Sequence, residues 1–511
     1  MYRKKIIFLI CLGVMACAKK GSPQTSTGVG TTTTWYVSTT GNDANTGSAP
    51  SPFASINKGL ASALPGDTIV VRGGTYYELL RFPRSGSLGQ NITLKAYPGE
   101  TPSIDGSQIT ASGMQALVTF GDNRYITLDG FTICNLYGAG GADPEGIYIN
   151  GASHDLTIEN CTIYNIKNTA TLAAGRSAHA ILVLGTNNNT AISNLVITGC
   201  TVHDTQTGTS ENITLAGNVD SFTVSRNTLY NTENIGIIVA GGDNLNPSGA
   251  VAVNYARNGV VSDNTLYNIS MSNSVATWGV GNYGAIAIYV CGGAGTVVER
   301  NKVYNCDRGI GLVSESNIYP TMTSIVRNNF VYNCWRTGIY MGDYLNFTGS
   351  GTRSCSVVNN TLFENDKALG AFGEIEGELR LTEHCDSNVI ENNLVYGGAS
   401  DLFVHKYTTT GAANTIDHNL YYTTGAPGWV WQSVNGTPIA TLAAWQAVSG
   451  VDAASVYGID PQLASTTSPD LHIQNTSPAK NAGAVLNVCG STDIDGNPRI
   501  VNGKISIGAQ Q

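Results

Sequence analysis

Charged residues are scarce in this chain of 511 residues. Asp, Glu, Lys and Arg together make up 12% of it, against roughly 25% in an average soluble protein. This scarcity argues against a coiled coil and against a highly charged disordered chain. Basic residues number 27 against 36 acidic ones, which gives a net charge of -9. Because an acidic chain has no basic surface for a phosphate backbone, we expect no nucleic-acid partner.

Long apolar runs and metal-binding spacings are also missing. After the first twenty residues no run of 18 apolar residues occurs, so we expect no membrane-spanning segment there. The 11 cysteines include no Cys-x-x-Cys pair and no Cys/His spacing of a zinc site. We therefore expect no required cofactor.

The first 34 residues are typical of an export signal followed by a tether. A basic start, Tyr2-Arg3-Lys4-Lys5, precedes a short apolar run, and Val14-Met15-Ala16-Cys17 resembles the lipobox of bacterial lipoproteins. The resemblance implies cleavage after residue 16 and lipidation of Cys17. Residues 18–34 are rich in Thr, Ser and Gly and predict a flexible tether. We expect a lipid-anchored protein of the bacterial cell envelope, on the outer membrane surface or the periplasmic face, with no other membrane contact.

A repeated pattern fills the middle of the chain. An Asn is followed by a small or apolar residue, then by Leu, Val or Ile and an aromatic residue, with short β-prone runs between the repeats. From Asn227 onward the spacing is 26 to 37 residues, which is typical of a solenoid. The repeats centre on Asn160, Asn227, Asn264, Asn301, Asn329, Asn360, Asn393 and Asn419.

An Asn that recurs at one corner is what a parallel β-helix requires, because its amide can bond the Asn above and below while its backbone tolerates the left-handed region. On this series the chain resembles the right-handed parallel β-helix proteins of the pectate-lyase-like superfamily. The segment 35–76 resembles their N-terminal cap, with a short helix near Ile56 to Ala63 that plugs the first coil. The predicted fold is an all-β, right-handed parallel β-helix over residues 35–425, with an irregular C-terminal cap at 426–511 that covers the last coil.

Cysteines are predicted to fill the core as free thiols. Cys306 and Cys334 occupy the same place in successive repeats, and we assign Cys355 and Cys385 to another shared place. Stacked disulfides are the alternative in an exported protein.

One sheet of the predicted solenoid carries the candidate functional side chains. Its strands are aligned on their leading Gly or Ala, and period-two alternation then directs Tyr148, Tyr289, Tyr340 and Arg380 outward. Four carboxylates follow the strand ends at matching points of different coils: Asp243, Glu315, Asp343 and Glu383.

These carboxylates suggest a glycoside hydrolase. Coils about 5 Å apart bring Glu315 and Asp343 within roughly 5 to 8 Å of each other, a separation that covers retaining and inverting mechanisms. We take Glu315 and Asp343 as the acid pair, with Arg380 and Glu383 as further catalytic candidates. Tyr289 and Tyr340, with Trp278, Tyr283 and His405 beside them, are the candidate substrate-binding residues for an oligosaccharide or polysaccharide.

Two other functions remain open. A polysaccharide lyase acting by β-elimination on a uronide needs a base and a cation, and Asp243, with Glu315 and Asp343, offers oxygen ligands for Ca²⁺. The catalytic Lys segment of the pectate lyases that share this fold is not found, however. A non-catalytic glycan binder or adhesin would have the Tyr row without a convergent acid pair.

Overall fold

The computed structural model describes residues 32–511 apart from 345, 346, 348, 369–375 and 400. Within this part the chain winds through three long parallel sheets and contributes one strand to each sheet per coil. Residues 33–511 form one unit. The parallel β-helix predicted from the Asn repeat is confirmed. Cys17 and most of the tether lie outside the described residues.

The strands of each sheet follow one another from coil to coil. Sheet I contains Thr34–Val37, Thr68–Val71, Ile92–Ala96, Arg124–Asp129, His154–Glu159, Ile192–Thr198, Val219–Ser225, Val260–Ser262, Val297–Glu299, Ile325–Arg327, Ser356–Val358, Val389–Glu391 and Thr415–Asp417. Sheet II contains Leu80–Arg81, Met114–Gly121, Asp143–Asn150, His179–Gly185, Glu211–Gly217, Ile235–Ala240, Ile286–Cys291, Arg308–Ser314, Ile339–Asp343, Leu379–Leu381, Leu402–Lys406 and Gly428–Trp431. Sheet III contains Gly74–Tyr76, Pro102–Asp105, Thr132–Gly138, Thr162–Asn168, Thr201–His203, Thr228–Thr232, Thr265–Ile269, Lys302–Tyr304, Phe330–Tyr332, Thr361–Phe363, Leu394–Gly397, Leu420–Thr423 and Val456–Tyr457.

Smaller elements lie between the coils and at the ends. Thr321–Met322, Thr352–Arg353 and Cys385–Asp386 form a short parallel sheet, and Leu463–Ser465 pairs antiparallel with Asp470–Ile473. The α-helices are Ile56–Ser62, Val275–Trp278 and Leu442–Ser449, and the 3₁₀ turns are Leu172–Ala174, Val251–Asn254 and Met271–Ser274.

The predicted N-terminal helix closes the first coil. Ser55 caps it, because its side chain accepts a hydrogen bond from the amide of Lys58. Ile56 and Leu60 are buried on the side of the helix that joins the core. At Gly59 a Cβ would lie 2.8 Å from Ile69, so only glycine lets the helix sit this close to the first strands. The helix therefore covers apolar surface that the first coil would otherwise expose.

A ladder of buried asparagines runs along the inside corner between sheets I and III. Each side-chain amide donates to Oδ1 of the next Asn at 2.9 to 3.1 Å, in the series Asn227, Asn264, Asn301, Asn329, Asn360, Asn393 and Asn419. The stacking predicted for the repeat is confirmed. The left-handed backbone is not at these residues but one position earlier, for example at Asp263 and Arg300.

The first repeat is displaced by one residue from its predicted position. Cys161 and Cys200 occupy the ladder column, because the strands that follow them pair in register and the Cys200 amide donates to Oδ1 of Asn227 at 2.9 Å. Asn160 instead takes the left-handed conformation, with φ 54, and its amide bonds Asp129. Nine cysteines of the described chain are buried free thiols, as predicted.

The cysteine pairs differ in their alignment. Tyr304 pairs with Tyr332, which places Cys306 and Cys334 at equivalent positions. Cys385, by contrast, pairs with Thr352, so it is not equivalent to Cys355 and that assignment was wrong.

The chain after residue 425 first continues the solenoid and then returns along its outside. It first adds Gly428–Trp431 and Val456–Tyr457 to the ladders, so regular pairing extends beyond the predicted boundary. Between these strands, Leu442–Ser449 packs Trp445 against Trp429. Residues 458–511 then return along the outside, where side-chain amides of the solenoid bond their backbone carbonyls.

No helix of the described chain is long and apolar enough to cross a membrane.

Candidate functional site

A cavity of about 570 Å³ lies on the outer face of sheet II. Its lining residues come from six consecutive strands, from Met114–Gly121 to Ile286–Cys291. The segment 241–245 and the residues Glu315 and Tyr344 contribute to its walls. Each coil supplies a few side chains, so the site exists only when neighbouring coils are in register.

The floor of the cavity is mostly aliphatic. Leu182, Thr214, Ile238 and Tyr289 follow one another in register and form its central row. The predicted outward row of sheet II, which includes Tyr148, Tyr289, Tyr340 and Arg380, is confirmed by the same register. An apolar floor under polar walls would exclude water from part of a ligand bound there.

Four carboxylates line this cavity: Asp143, Glu211, Asp243 and Glu315. The described lining residues include no Lys and no Arg. Burial raises the pKa of Glu211 to about 7, and the negative charges of Asp243 and Glu315 add to this effect. Burial also raises the pKa of Asp243. Glu211 therefore holds a proton in a substantial fraction of molecules near neutral pH.

A chain of hydrogen bonds leads to Glu211 across neighbouring coils. The Thr214 hydroxyl donates to Oε2 of Glu211 at 3.0 Å, and Nδ1 of His179 lies 3.0 Å from the same hydroxyl oxygen. Because a hydroxyl has one proton, Thr214 accepts from His179 Nδ1–H whenever it donates to an unprotonated Oε2 of Glu211. Burial lowers the pKa of His179 and favours its neutral form.

A tyrosine holds the carboxylate on the opposite side of the cavity. The Tyr289 hydroxyl donates to Oε1 of Glu315 at 2.7 Å. The Tyr289 ring stacks on Tyr340 with centroids 6.2 Å apart, although the strand of Gly311 lies between theirs in the sheet. A Cβ at Gly311 would lie 2.7 and 2.8 Å from the two rings, so glycine is what permits this stack.

A second pair of carboxyls lies at the His179 end of the cavity. Glu145 pairs with His179 in the sheet, is 0% exposed, and neither of its carboxyl oxygens has a hydrogen-bond partner. Burial, together with the charge of Asp143, raises the pKa of Glu145 to about 9. Oδ1 of Asp143 is also buried without a hydrogen-bond partner and lies 3.9 Å from Nε2 of His179.

Only part of the predicted acid group reaches the cavity. Glu315 and Asp243 line it, whereas Asp343 does not. Asp343 is buried and its carboxylate contacts Nδ1 of His384 at 2.9 Å. Glu383 is also buried and accepts hydrogen bonds from the hydroxyls of Thr408 and Thr410. Glu315 therefore shares this cavity with Glu211 and Asp243 and not with Asp343.

The basic candidates lie outside the cavity lining. Arg380 and Arg336 contact Oε1 of Glu376, and Arg308 lies 3.4 Å from the same oxygen. His405 is buried and its Nε2 lies 2.9 Å from the carbonyl of Ser433.

The aromatic candidates do not form the predicted sugar-stacking row. Tyr289 is 1% exposed and Tyr340 is 3% exposed, so their faces are covered although they point outward. Trp278 donates its indole N–H to Glu233 at 3.0 Å. Tyr283 stacks on Trp335 with centroids 5.1 Å apart, and Trp335 is 39% exposed. Because Tyr283 precedes the lining residue Gly284, this pair adjoins the cavity rim.

A metal site was an alternative use of the carboxylates. Among the residues that the structure describes, no group of three His, Cys, Asp or Glu side chains is placed to hold a metal ion. Asp243 and Glu315 line the cavity without Asp343, so the three oxygen ligands suggested for Ca²⁺ do not share one wall.

Sequence reasoning missed Glu211, His179, Thr214 and Asp143. The strand Glu211–Gly217 begins with Glu211-Asn212 and not with Gly or Ala, so the alignment of sheet II passed over it. The same coil has Cys200 and His203 where other repeats have Asn and Tyr. The run Cys200-Thr201-Val202-His203 was the available signal, because it keeps the repeat's spacing and β-prone residues.

Comparisons with known proteins identify the class of this chain. A family described as Pel9A-like, right handed beta helix region matches residues 35–223, and one described as right handed beta helix region matches residues 212–374. The uncharacterized protein YwoF of Bacillus subtilis is 32% identical over 386 residues, which cover 75% of this chain and 79% of YwoF. The chain belongs to the family of right-handed β-helix proteins that includes YwoF.

Two further similarities cover less of the sequence or rest on the fold. Pectate lyase PEL9 of Emericella nidulans is 28% identical over 153 residues, which are 29% of this chain and 37% of PEL9. The GH136 lacto-N-biosidase of Eubacterium ramulus has a TM-score of 0.51 and 14% identity, over 76% of this chain and 68% of that one. The second similarity shows the shared fold alone.

Proposed function

We propose that this protein is a glycoside hydrolase that cleaves an oligosaccharide or polysaccharide in the cavity on sheet II. One observation carries the proposal: Glu211, Asp243 and Glu315 line a single cavity, and no Lys or Arg is among its described lining residues. Glycosidic hydrolysis needs two carboxyl groups, one protonated and one ionised.

Glu211 has the properties of the general acid. Its pKa of about 7 keeps it partly protonated at neutral pH, which a proton donor to the leaving-group oxygen requires. The Thr214 hydroxyl fixes the orientation of its carboxyl group.

Glu315 takes the role of the base or nucleophile. It is exposed on the cavity wall, and the hydrogen bond that it accepts from the Tyr289 hydroxyl fixes the orientation of its carboxylate. Asp243 adds negative charge that keeps Glu211 protonated and stabilises the positive charge of an oxocarbenium-like transition state.

The charge of the cavity restricts the substrate. A uronide carboxylate placed against Glu211 would meet three other carboxylates and no lining Lys or Arg. The substrate is therefore a glycan without a carboxylate at these subsites.

The test is a screen of plant, algal and bacterial glycans with the parent protein, Glu211→Gln and Glu315→Gln. Release of reducing sugar by the parent, and its loss by at least roughly 100-fold in both variants, is the expected result. Glu100→Gln is the matched control, because Glu100 is a partly exposed carboxylate that pairs with Arg72 and does not line the cavity. Full activity in both cavity variants would refute the assignment.

A polysaccharide lyase is the second candidate, favoured by the similarity to PEL9 and by the Pel9A-like family region. β-Elimination from a uronide leaves an unsaturated product that absorbs in the ultraviolet. Such a product, formed with a Ca²⁺ requirement, would replace the hydrolase assignment. Binding of a glycan without turnover would indicate a non-catalytic glycan-binding protein.

We also propose that Cys17 is acylated and anchors the protein in a bacterial envelope. The lipobox-like Val14-Met15-Ala16-Cys17 supports this. With Cys17→Ala we expect the protein to leave the membrane fraction, because the anchor is its only predicted membrane contact. Retention of the variant with the membranes would contradict the proposal.

A further inference from the structure

We propose that the His179 end of the cavity binds the ammonium group of an amino sugar, through the Asp143 carboxylate and Nε2 of His179. This inference deepens the proposed function, since it names the class of glycan: one that contains hexosamine units with a free amine. It assigns binding, not chemistry, to Asp143 and His179.

The direction of the hydrogen bonds makes His179 an acceptor on its free side. When Oε2 of Glu211 carries no proton, Thr214 gives its only proton to that oxygen, and Nδ1 of His179 then donates to Thr214. A neutral imidazole that donates from Nδ1 carries a lone pair on Nε2. His179 is only 6% exposed and lines the cavity, and its Nε2 has no hydrogen-bond partner.

The group that faces Nε2 is also an acceptor. Oδ1 of Asp143 lies 3.9 Å from Nε2 of His179, too far for a direct hydrogen bond, and Oδ1 has no other partner. A single group that carries two or more hydrogen-bonding protons can therefore donate to both of these acceptors. An ammonium group is such a donor, and its charge suits the carboxylate.

The surroundings favour a positive charge over a neutral donor. Glu211, Asp243 and Glu315 add three carboxyl groups along the lining, which contains no described Lys or Arg. An ammonium ion that enters this cavity is attracted by these carboxylates and is repelled by no described lining Lys or Arg.

The test uses binding, so that it does not depend on turnover. Calorimetric titrations compare glucosamine and galactosamine oligosaccharides with their N-acetylated counterparts, on parent protein and Asp143→Asn, at a pH where the amine is charged. We expect the parent to prefer the free amine, and Asp143→Asn to lose that preference by roughly tenfold, the size of one charge-assisted hydrogen bond.

The matched control is Glu315→Gln, which removes the same charge from the same cavity on its other side. It should keep most of the preference for the amine, because it leaves the Asp143 and His179 acceptors in place. If Asp143→Asn does not fold, as judged by circular dichroism, His179→Phe replaces it, with the same loss expected.

The outcomes separate this inference from the proposed function. An equal affinity for free and acetylated amines in the parent, or an unchanged preference in Asp143→Asn, overturns the ammonium site. If the protein cleaves acetylated or neutral glycans through Glu211 and shows no preference for the amine, the hydrolase proposal is supported and the ammonium site is refuted. Asp143-dependent amine binding without any cleavage leaves the binding site and refutes the hydrolase.

Discussion

The Tyr289 hydroxyl donates a 2.7 Å hydrogen bond to Oε1 of Glu315, from a side chain that is itself almost completely buried. A buried, stacked ring has little freedom to turn, so it holds the exposed Glu315 carboxylate in one orientation at the cavity wall. The relationship links two coils, since Tyr289 lies on one strand of sheet II and Glu315 follows the next.

Removal of this hydroxyl should lower activity without unfolding the protein. In Tyr289→Phe the ring stack with Tyr340 remains, but Glu315 loses a charge-assisted hydrogen bond. We expect kcat/KM to fall by about tenfold, with the melting temperature little changed. Tyr267→Phe is the control and should keep full activity, because Tyr267 lies on sheet III, where its ring stacks on those of Tyr230 and Tyr304, and does not line the cavity. Unchanged kinetics in Tyr289→Phe would show that Glu315 does not need this contact.

The pH dependence of activity should report the proton on Glu211. A general acid must be protonated, so activity should fall as pH rises through about 7. The Thr214 hydrogen bond favours the ionised form of Glu211 and lowers its pKa. Thr214→Val should therefore move this alkaline limb to higher pH, as measured by kcat/KM profiles.

Asp243→Asn should move the same limb in the opposite direction. The charge of Asp243 raises the pKa of Glu211, so its removal lets Glu211 ionise at lower pH. Two variants that shift the limb in the same direction, or neither of which shifts it, would mean that another group sets the profile.

Glu145 should make stability depend on pH. Its pKa rises from 4.5 to about 9 in the folded protein, so folding takes up a proton between these values. The contribution of this group to stability is full below pH 4.5 and is lost as pH rises toward 9, by up to about 1.4 kcal/mol per pH unit. Glu145→Gln removes this loss.

Thermal unfolding at pH 5 and pH 8 checks the prediction. The gain in melting temperature of Glu145→Gln over the parent should be larger at pH 8. Glu100→Gln, which changes a carboxylate whose pKa is lowered by its hydrogen bond to Arg72, should show no such increase. Equal gains at both pH values would mean that Glu145 is not protonated on folding.

Truncation of one asparagine of the ladder should lower the stability of the protein. Oδ1 of Asn301 accepts from both the backbone amide and the side chain of Asn264. Asn301→Ala leaves these two buried donors unpaired, which should lower the free energy of unfolding by about 3 kcal/mol. Denaturant unfolding measures this loss, and the exposed Asn475→Ala should cost less than about 0.5 kcal/mol. A small effect at Asn301 would mean that water or a neighbour replaces the lost acceptor.

Much of the fold was predictable because the solenoid repeats its signals locally. The series from Asn227 to Asn419 identified the ladder, since a buried stack of identical amides requires the same residue once per coil. The outward direction of Tyr289 and Tyr340 was predictable too, because alternation along a strand is a property of the backbone. The helix near Ile56 followed from the resemblance to known caps.

The sequence by itself determined the β-helix, the Asn ladder and the outward face of sheet II, whose causes lie within one repeat. Only the tertiary structure decided which outward residues stay open and which acids meet. The rings of Tyr289 and Tyr340 stack on each other above Gly311, and the Asp343 carboxylate contacts His384. Glu211 entered the site from a coil with Cys200 and His203 in place of the usual residues. Loop lengths differ between coils, so burial and the meeting of carboxylates depend on packing between coils, which no single repeat encodes.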